Sequence, residues 1–252
     1  MLNLLMEKFN IPEKTVVNST LYKNHFYEEG KLNKSEMKIF ADNIEKITLL
    51  FSLTEDNMNI KPYRDDNMEY EEIAIIQVAI DNKLKSNKIG DIIQRTIPYP
   101  TLVLFTLDDE IQMNLSCKRI NKADKSKNLI EKTIRTHWIN RNKLTQIEKD
   151  FFESLSMENL SFANFYKLYM DIFHRAIMLN TADFTKDYKV LLTKDIEKIK
   201  RIKNQIDITQ LTIDESKKKI KKEDNFNRGL ELNMRIKVFE EKIQQLVDEI
   251  LV

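Results

Sequence analysis

From Leu192 to the C-terminus the apolar positions repeat as two helical stripes. Leu192, Ile199, Ile206, Ile213 and Ile220 recur every seven residues, with Ile202, Thr209 and Ser216 at the second position of each heptad. A second stripe runs Leu232, Ile236, Phe239, Ile243, Leu246 and Ile250, at alternating spacings of four and three. Both have the period of a coiled-coil seam. They are two residues out of phase, roughly 200° around a helix at about 100° per residue, so one straight helix carries them on nearly opposite faces. Reversal of the chain near Asp224-Asn225 instead sets Ile220 against Leu230, Ile213 against Ile236, Ile206 against Ile243 and Ile199 against Ile250. It also brings Lys194, Lys198, Lys200, Arg201 and Lys203 near Asp248 and Glu249. An exposed ion pair contributes only ~0–1 kcal/mol, against about 1.5–3 kcal/mol for a large apolar side chain fully buried. The apolar layers therefore hold such a hairpin, and charge selects its register. One uninterrupted helix is the alternative, because no proline interrupts this stretch.

Upstream the period changes. Residues 1–32 read as a short helix followed by an irregular arm. Asn33 with Glu36 forms a capping-box pattern opening a helix over Lys34–Ile47, whose Met37, Phe40, Ile44 and Ile47 keep one face. Thr48–Leu53, Glu72–Ile80, Thr101–Leu107 and Ile111–Cys117 are short and rich in branched or aromatic residues, as strands are. Ile73–Ile76 and Leu102–Phe105 are almost continuously apolar, which is typical of central strands covered on both faces. Asp108-Asp109 reads as a hairpin turn. Lys88–Ile97 has helical spacing and is stopped by Pro98 and Pro100. Ile130–Ile139 reads as a fifth strand, with Trp138 near its end. The order is ββαβββ behind an N-terminal helix. Ile147–Leu155 and Phe162–Leu179 are helical, and Asp183–Asp187 is a polar joint. The expected fold is α+β: a small mixed or antiparallel sheet with packing helices over 1–142, a helical connector over 143–182, and a coiled-coil hairpin over 183–252.

Composition narrows the chemistry. In 252 residues, 42% hydrophobic content is enough for a real core, and a formal charge of +1 gives no global attraction to nucleic acid or acidic membrane. A single cysteine, Cys117, excludes an internal disulfide framework and fits a reducing cytoplasm. The N-terminal apolar run is too short and too soon charged for a signal peptide, and nothing approaches the ~18 apolar residues of a membrane span. Only three glycines are present, and neither GxGxxG nor GxxxxGK[ST] occurs. Phosphate loops need glycine where backbone approaches the ligand, so a nucleotide-driven motor or dinucleotide oxidoreductase is disfavoured, and no bound cofactor is expected.

The catalytic candidate is a restriction-nuclease-like set: Asp65 or Asp66, then Asp81-x-Lys83 leaving an apolar strand. Two carboxylates would hold Mg²⁺ and the lysine would orient a water. With 40 acids and 41 bases such matches arise by chance, and Asp81-Asn82-Lys83 reads equally as a polar strand exit. His25, His137 and His174 lack metal-ligand spacing and read as structural. Lys217, Lys218, Lys219, Lys221 and Lys222 suit a phosphate backbone, but a solvated outer face explains them more simply. Phe226, at the hairpin tip, is either a docking point or a cap packed on Leu230.

The segment Lys221-Lys222-Glu223-Asp224-Asn225-Phe226-Asn227-Arg228-Gly229-Leu230-Glu231-Leu232-Asn233 resembles a signature of the bacterial domain-of-unknown-function 4391 family, K-x-E-x-x-F-N-R-x-x-E-L-N. Ile97-Pro98-Tyr99-Pro100, Thr136-His137-Trp138 and Tyr22–Glu28 are weaker matches, so the resemblance spans nearly the whole chain. It implies a companion of helicase, methyltransferase and restriction-type proteins in antiviral defence loci, with no established catalytic residues. The expectation is a non-enzymatic accessory subunit whose coiled-coil arm docks a larger helicase or nuclease partner. Phe226, Asn227, Arg228, Glu231, Leu232 and Asn233 would bind that partner, and DNA would be met indirectly or weakly. Homodimerisation through the arm is a third reading.

Overall fold

The short branched runs pair into one seven-stranded sheet, seen in a computed structural model that describes residues 2–122, 128–223 and 225–252. In chain order the elements are α1 (Leu2–Phe9), β1 (Val16–Thr20), α2 (Lys23–Glu29), α3 (Lys34–Asn43), β2 (Ile44–Leu53), α4 (Glu55–Met58), β3 (Tyr63–Arg64), β4 (Glu69–Tyr70) and β5 (Ile73–Ile80). There follow α5 (Ser86–Thr96), β6 (Thr101–Leu107), β7 (Glu110–Ile120), β8 (Asn128–Arg135), β9 (Ile139–Asn140), α6 (Gln146–Ser154) and α7 (Phe165–Thr185). The chain ends with α8 (Tyr188–Leu191), α9 (Ile196–Ile220) and α10 (Phe226–Leu251). Two compact units result, Met1–Ile177 and Met178–Val252, with the boundary inside α7.

Strand order is β1-β2-β5-β6-β7-β8, with β9 also on β7, while β3 and β4 form a separate two-stranded ribbon. Only β5 and β6 are parallel. Parallel neighbours need a crossover, and α5 is that crossover. Both strands are buried almost throughout, as their continuous apolar sequences require. α5 lays Ile89, Ile92 and Ile93 against Ile76, Val78, Val103 and Phe105, with Phe26 and Phe40 in the same cluster. Gly90 has a steric purpose there. A Cβ at this position would lie 2.5 Å from the amide nitrogen of fully buried Asn114. Glu36 completes the Asn33 capping box and takes both guanidinium nitrogens of Arg95 at 3.0 and 2.7 Å, tying α3 to α5.

Several boundaries differ from the sequence expectation. The helix expected over Lys34–Ile47 ends at Asn43, because Ile44 and Ile47 belong to β2, opposite Ile80 and Val78. A register shift between Ile44 and Lys46 lets both isoleucines reach the core from odd spacing, which mimics a helical face. The irregular arm contains β1 and α2, whose exposed residues carry no period. The fifth strand is split into β8 and β9. Between them Thr136 bonds β7 through its own Oγ1, which accepts from Met113 N at 3.0 Å. The turn at Asp108-Asp109 stands, with Asp108 at φ 49 as a tight hairpin needs.

The polar face of β7, Gln112, Asn114, Ser116 and Lys118, is buried. Lys118 is 3% exposed, and its ammonium donates to the carbonyls of Ile97 and Tyr99 at 2.7 and 2.8 Å. Burial pulls its pKa down to about 7. The unfolded chain therefore binds more protons between about 7 and the ordinary lysine value of 10.5. This group makes stability rise with pH across that window. Urea unfolding should show the rise in the parent protein, and Lys118→Met should flatten it. Glu36 has the opposite signature. Arg95 and Lys88 hold its pKa near 2, below the ordinary 4.5. Its contribution is complete above about 4.5 and is lost as pH falls toward 2. Glu36→Gln should lower the unfolding free energy at neutral pH by on the order of 1–2 kcal/mol and flatten the acid limb of the stability curve.

Candidate functional site

The second unit realises the reversal written in the two stripes. Asp195 caps α9 by accepting from Glu197 N at 3.0 Å, and Asn225 caps α10 by accepting from Arg228 N at 3.2 Å. Asp224 lies outside the described residues. Arg201 meets Glu249 at 3.0 Å, Lys217 meets Glu240 at 3.5 Å, and Lys194 Nζ donates to Leu251 O at 2.6 Å. Early residues of α9 thus meet late residues of α10, so the helices run antiparallel. Ile199, Ile202, Ile206 and Ile213 are buried, as are Ile236, Leu246, Val247 and Ile250. Two expected seam residues fall outside. Leu192 precedes α9, at the C-terminal cap of α8, and is 42% exposed; Leu230 is 51% exposed.

The tip holds a groove of about 460 Å³ lined by Lys219, Lys222, Glu223, Arg228, Glu231, Leu232 and Arg235. Four cations face two carboxylates around one leucine, so an acidic partner with an apolar contact fits it best. The structure brings together Lys219 and Lys222 from the basic run with Arg228, Glu231 and Leu232 from the expected docking segment. Lys217, Lys218 and Lys221 do not line it, and Lys217 is paired with Glu240. Phe226 is 82% exposed, so it is not buried against Leu230. Asn227 is exposed, and Asn233 donates to Gly229 O at 3.0 Å. Sequence reasoning missed Arg235. Its place one turn beyond Glu231 and Leu232 was the available signal.

The nuclease set is not assembled. Asp65 sits in the β3–β4 turn, accepting from the N–H groups of Asn67 and Met68 and from the Tyr63 hydroxyl, which hold its carboxyl below the usual range. Asp66 follows in the same turn. That turn is joined to the end of β7, where Ile120 N donates to Asn67 O at 2.7 Å. β7 runs antiparallel to β6 and β6 parallel to β5, so the turn lies at the start of β5. Asp81 follows the other end, roughly 25 Å away at about 3.3 Å per residue. Lys83 is committed to an ion pair with Glu110 and lies over the Trp138 ring, 5.1 Å from its centroid. Among the described residues no three His, Cys, Asp or Glu side chains are grouped as a metal ion needs. His137 faces Glu148 at 3.3 Å, and Cys117 is half-buried with Sγ 3.7 Å from Met170 Sδ.

Fold and site together define an α/β unit carrying a charged helical hairpin. No helix among the described residues is long and apolar enough to cross a membrane. Residues 9–243 match the family described as Domain of unknown function (DUF4391), and the chain belongs to it. No curated protein and no solved structure matches.

Gly229, in the docking segment, is helical, yet a Cβ built on it meets nothing within 4 Å. Its cost to the helix is uncompensated within the chain. Gly229→Ala should therefore stabilise the hairpin by roughly 0.5–1 kcal/mol, read as a raised urea midpoint.

Proposed function

We propose that this protein is a non-enzymatic accessory subunit of a bacterial DNA-targeting, restriction-type defence complex, and that its hairpin tip docks a larger helicase, methyltransferase or nuclease. The carrying observation is the pairing of the basic groove with an almost fully exposed Phe226 at one end of the hairpin. A phenylalanine in water loses about 1.5–3 kcal/mol that a partner pocket restores, and aromatic and arginine side chains dominate protein interfaces. The partner class rests on the family resemblance. A near-neutral chain with only one cysteine suits a cytoplasmic partner-binding role, with DNA held chiefly by the partner.

Co-expression of the full chain with helicase, methyltransferase and nuclease subunits from its own host tests this. One of them should co-elute as a stoichiometric complex. Phe226→Ala and Arg228→Glu, both at exposed positions, should each weaken it at least about tenfold, as loss of an interface anchor does. Failure of all three subunits to co-elute would overturn the proposal. Equal binding by the variants would remove the tip from it.

A further inference from the structure

α10 carries a second apolar line besides the one facing α9. Leu230, Met234 and Val238 recur every four residues and are 51%, 65% and 62% exposed. At about 100° per residue the line is centred near the side opposite the Leu232, Ile236 and Ile243 seam. Scattered apolar residues on a surface are ordinary, whereas a continuous ridge on one helix marks a contact. We propose that this ridge pairs antiparallel with the same ridge of a second copy of the chain, centred on Met234.

Charge argues for this occupant and orientation. Antiparallel pairing about Met234 sets Leu230 against Val238 of the second copy, and Met234 against its own mate. Glu231 then lies within a turn of Arg235 of the second copy, and the symmetry axis repeats that pair. A parallel pair would instead bring Arg235 within a turn of Lys237 of the second copy, because these two cations flank the ridge on opposite sides. Antiparallel pairing avoids that clash and makes the Glu231–Arg235 pair twice. Glu231 and Arg235 also line the tip groove, whereas Arg228 and Leu232 lie off the ridge, toward the α9 side of α10, so Arg228 variants separate this proposal from the docking reading.

Three side chains a side make a contact below the ~800 Å² per partner of a standard interface. A reversible dimer is expected, with a dissociation constant in roughly the micromolar range. Sedimentation equilibrium of the full chain should show mass rising from monomer toward dimer with concentration. Met234→Glu should remain monomeric, while the docking variant Arg228→Glu should dimerise like the parent. Glu231→Arg should weaken the dimer, and Glu231→Arg combined with Arg235→Glu should restore it. In a Cys117→Ser background, mild oxidation should crosslink Met234→Cys to itself. It should not crosslink Phe226→Cys, whose mate lies 16 residues along the partner helix, about 24 Å at 1.5 Å per residue. A monomer at every concentration, a Met234→Glu variant that dimerises normally, or equal crosslinking at both positions would each overturn the proposal.

Discussion

The crossover from α5 into β6 imposes the constraint on which the sheet depends. Five consecutive carbonyls, from Ile97 to Thr101, pass the buried end of β7, and two of these residues are prolines with no N–H to offer. Each carbonyl has a donor. Lys118 serves Ile97 and Tyr99, Asn128 serves Pro98, Ala74 N serves Pro100, and Gln94 with Tyr169 serves Thr101. An unpaired buried carbonyl costs about as much as a lost hydrogen bond. Side chains from β7, β8, α5 and α7 therefore do most of what a neighbouring strand would otherwise do. Burial raises the Tyr169 hydroxyl well above its ordinary value, which keeps it neutral while it joins Ser116 and Thr101. The parallel pair β5–β6 is possible because this splayed corner is filled.

The hairpin is built on the opposite economy of polar groups. Its centre is aliphatic, and the two hydroxyls buried in it, Thr209 and Ser216, bond carbonyls of their own helix at 2.8 Å. Ion pairs such as Arg201–Glu249 stay at the surface, where they fix alignment more than stability. α10 buries one face and leaves a second apolar line in water. Its first turns meet the end of α9 around a charged groove.

Where one periodicity dominates, the sequence can be read. β6 is expected at its observed bounds, and the two heptad stripes locate the reversal. Charge can be read too, since Arg201 and Glu249 meet as their positions imply. Reading fails where two patterns coincide. Ile44 and Ile47 fit a helical face, yet a bulged strand reaches the core from the same spacing. Alternation along a strand likewise does not say what covers its polar face. Gln112, Asn114, Ser116 and Lys118 alternate as polar residues along β7, yet all are buried, and α5 and the crossover cover much of the row. At the candidate site, Lys219, Arg228, Glu231 and Leu232 are legible in sequence and do converge. Asp65, Asp66, Asp81 and Lys83 are grouped only by order along the chain, which says nothing about which end of a strand a residue occupies.

Because Thr209 and Ser216 bond carbonyls of the helix that carries them, the two hydroxyls buried in the seam do not lock it to one length. A matched block of seven residues inserted in or deleted from both helices would keep the isoleucine layers in phase. The reach of the tip is thus a separable variable, free to lengthen or shorten by about 10 Å per block at 1.5 Å per residue. Partners of different size are then met by changing the number of blocks in the hairpin.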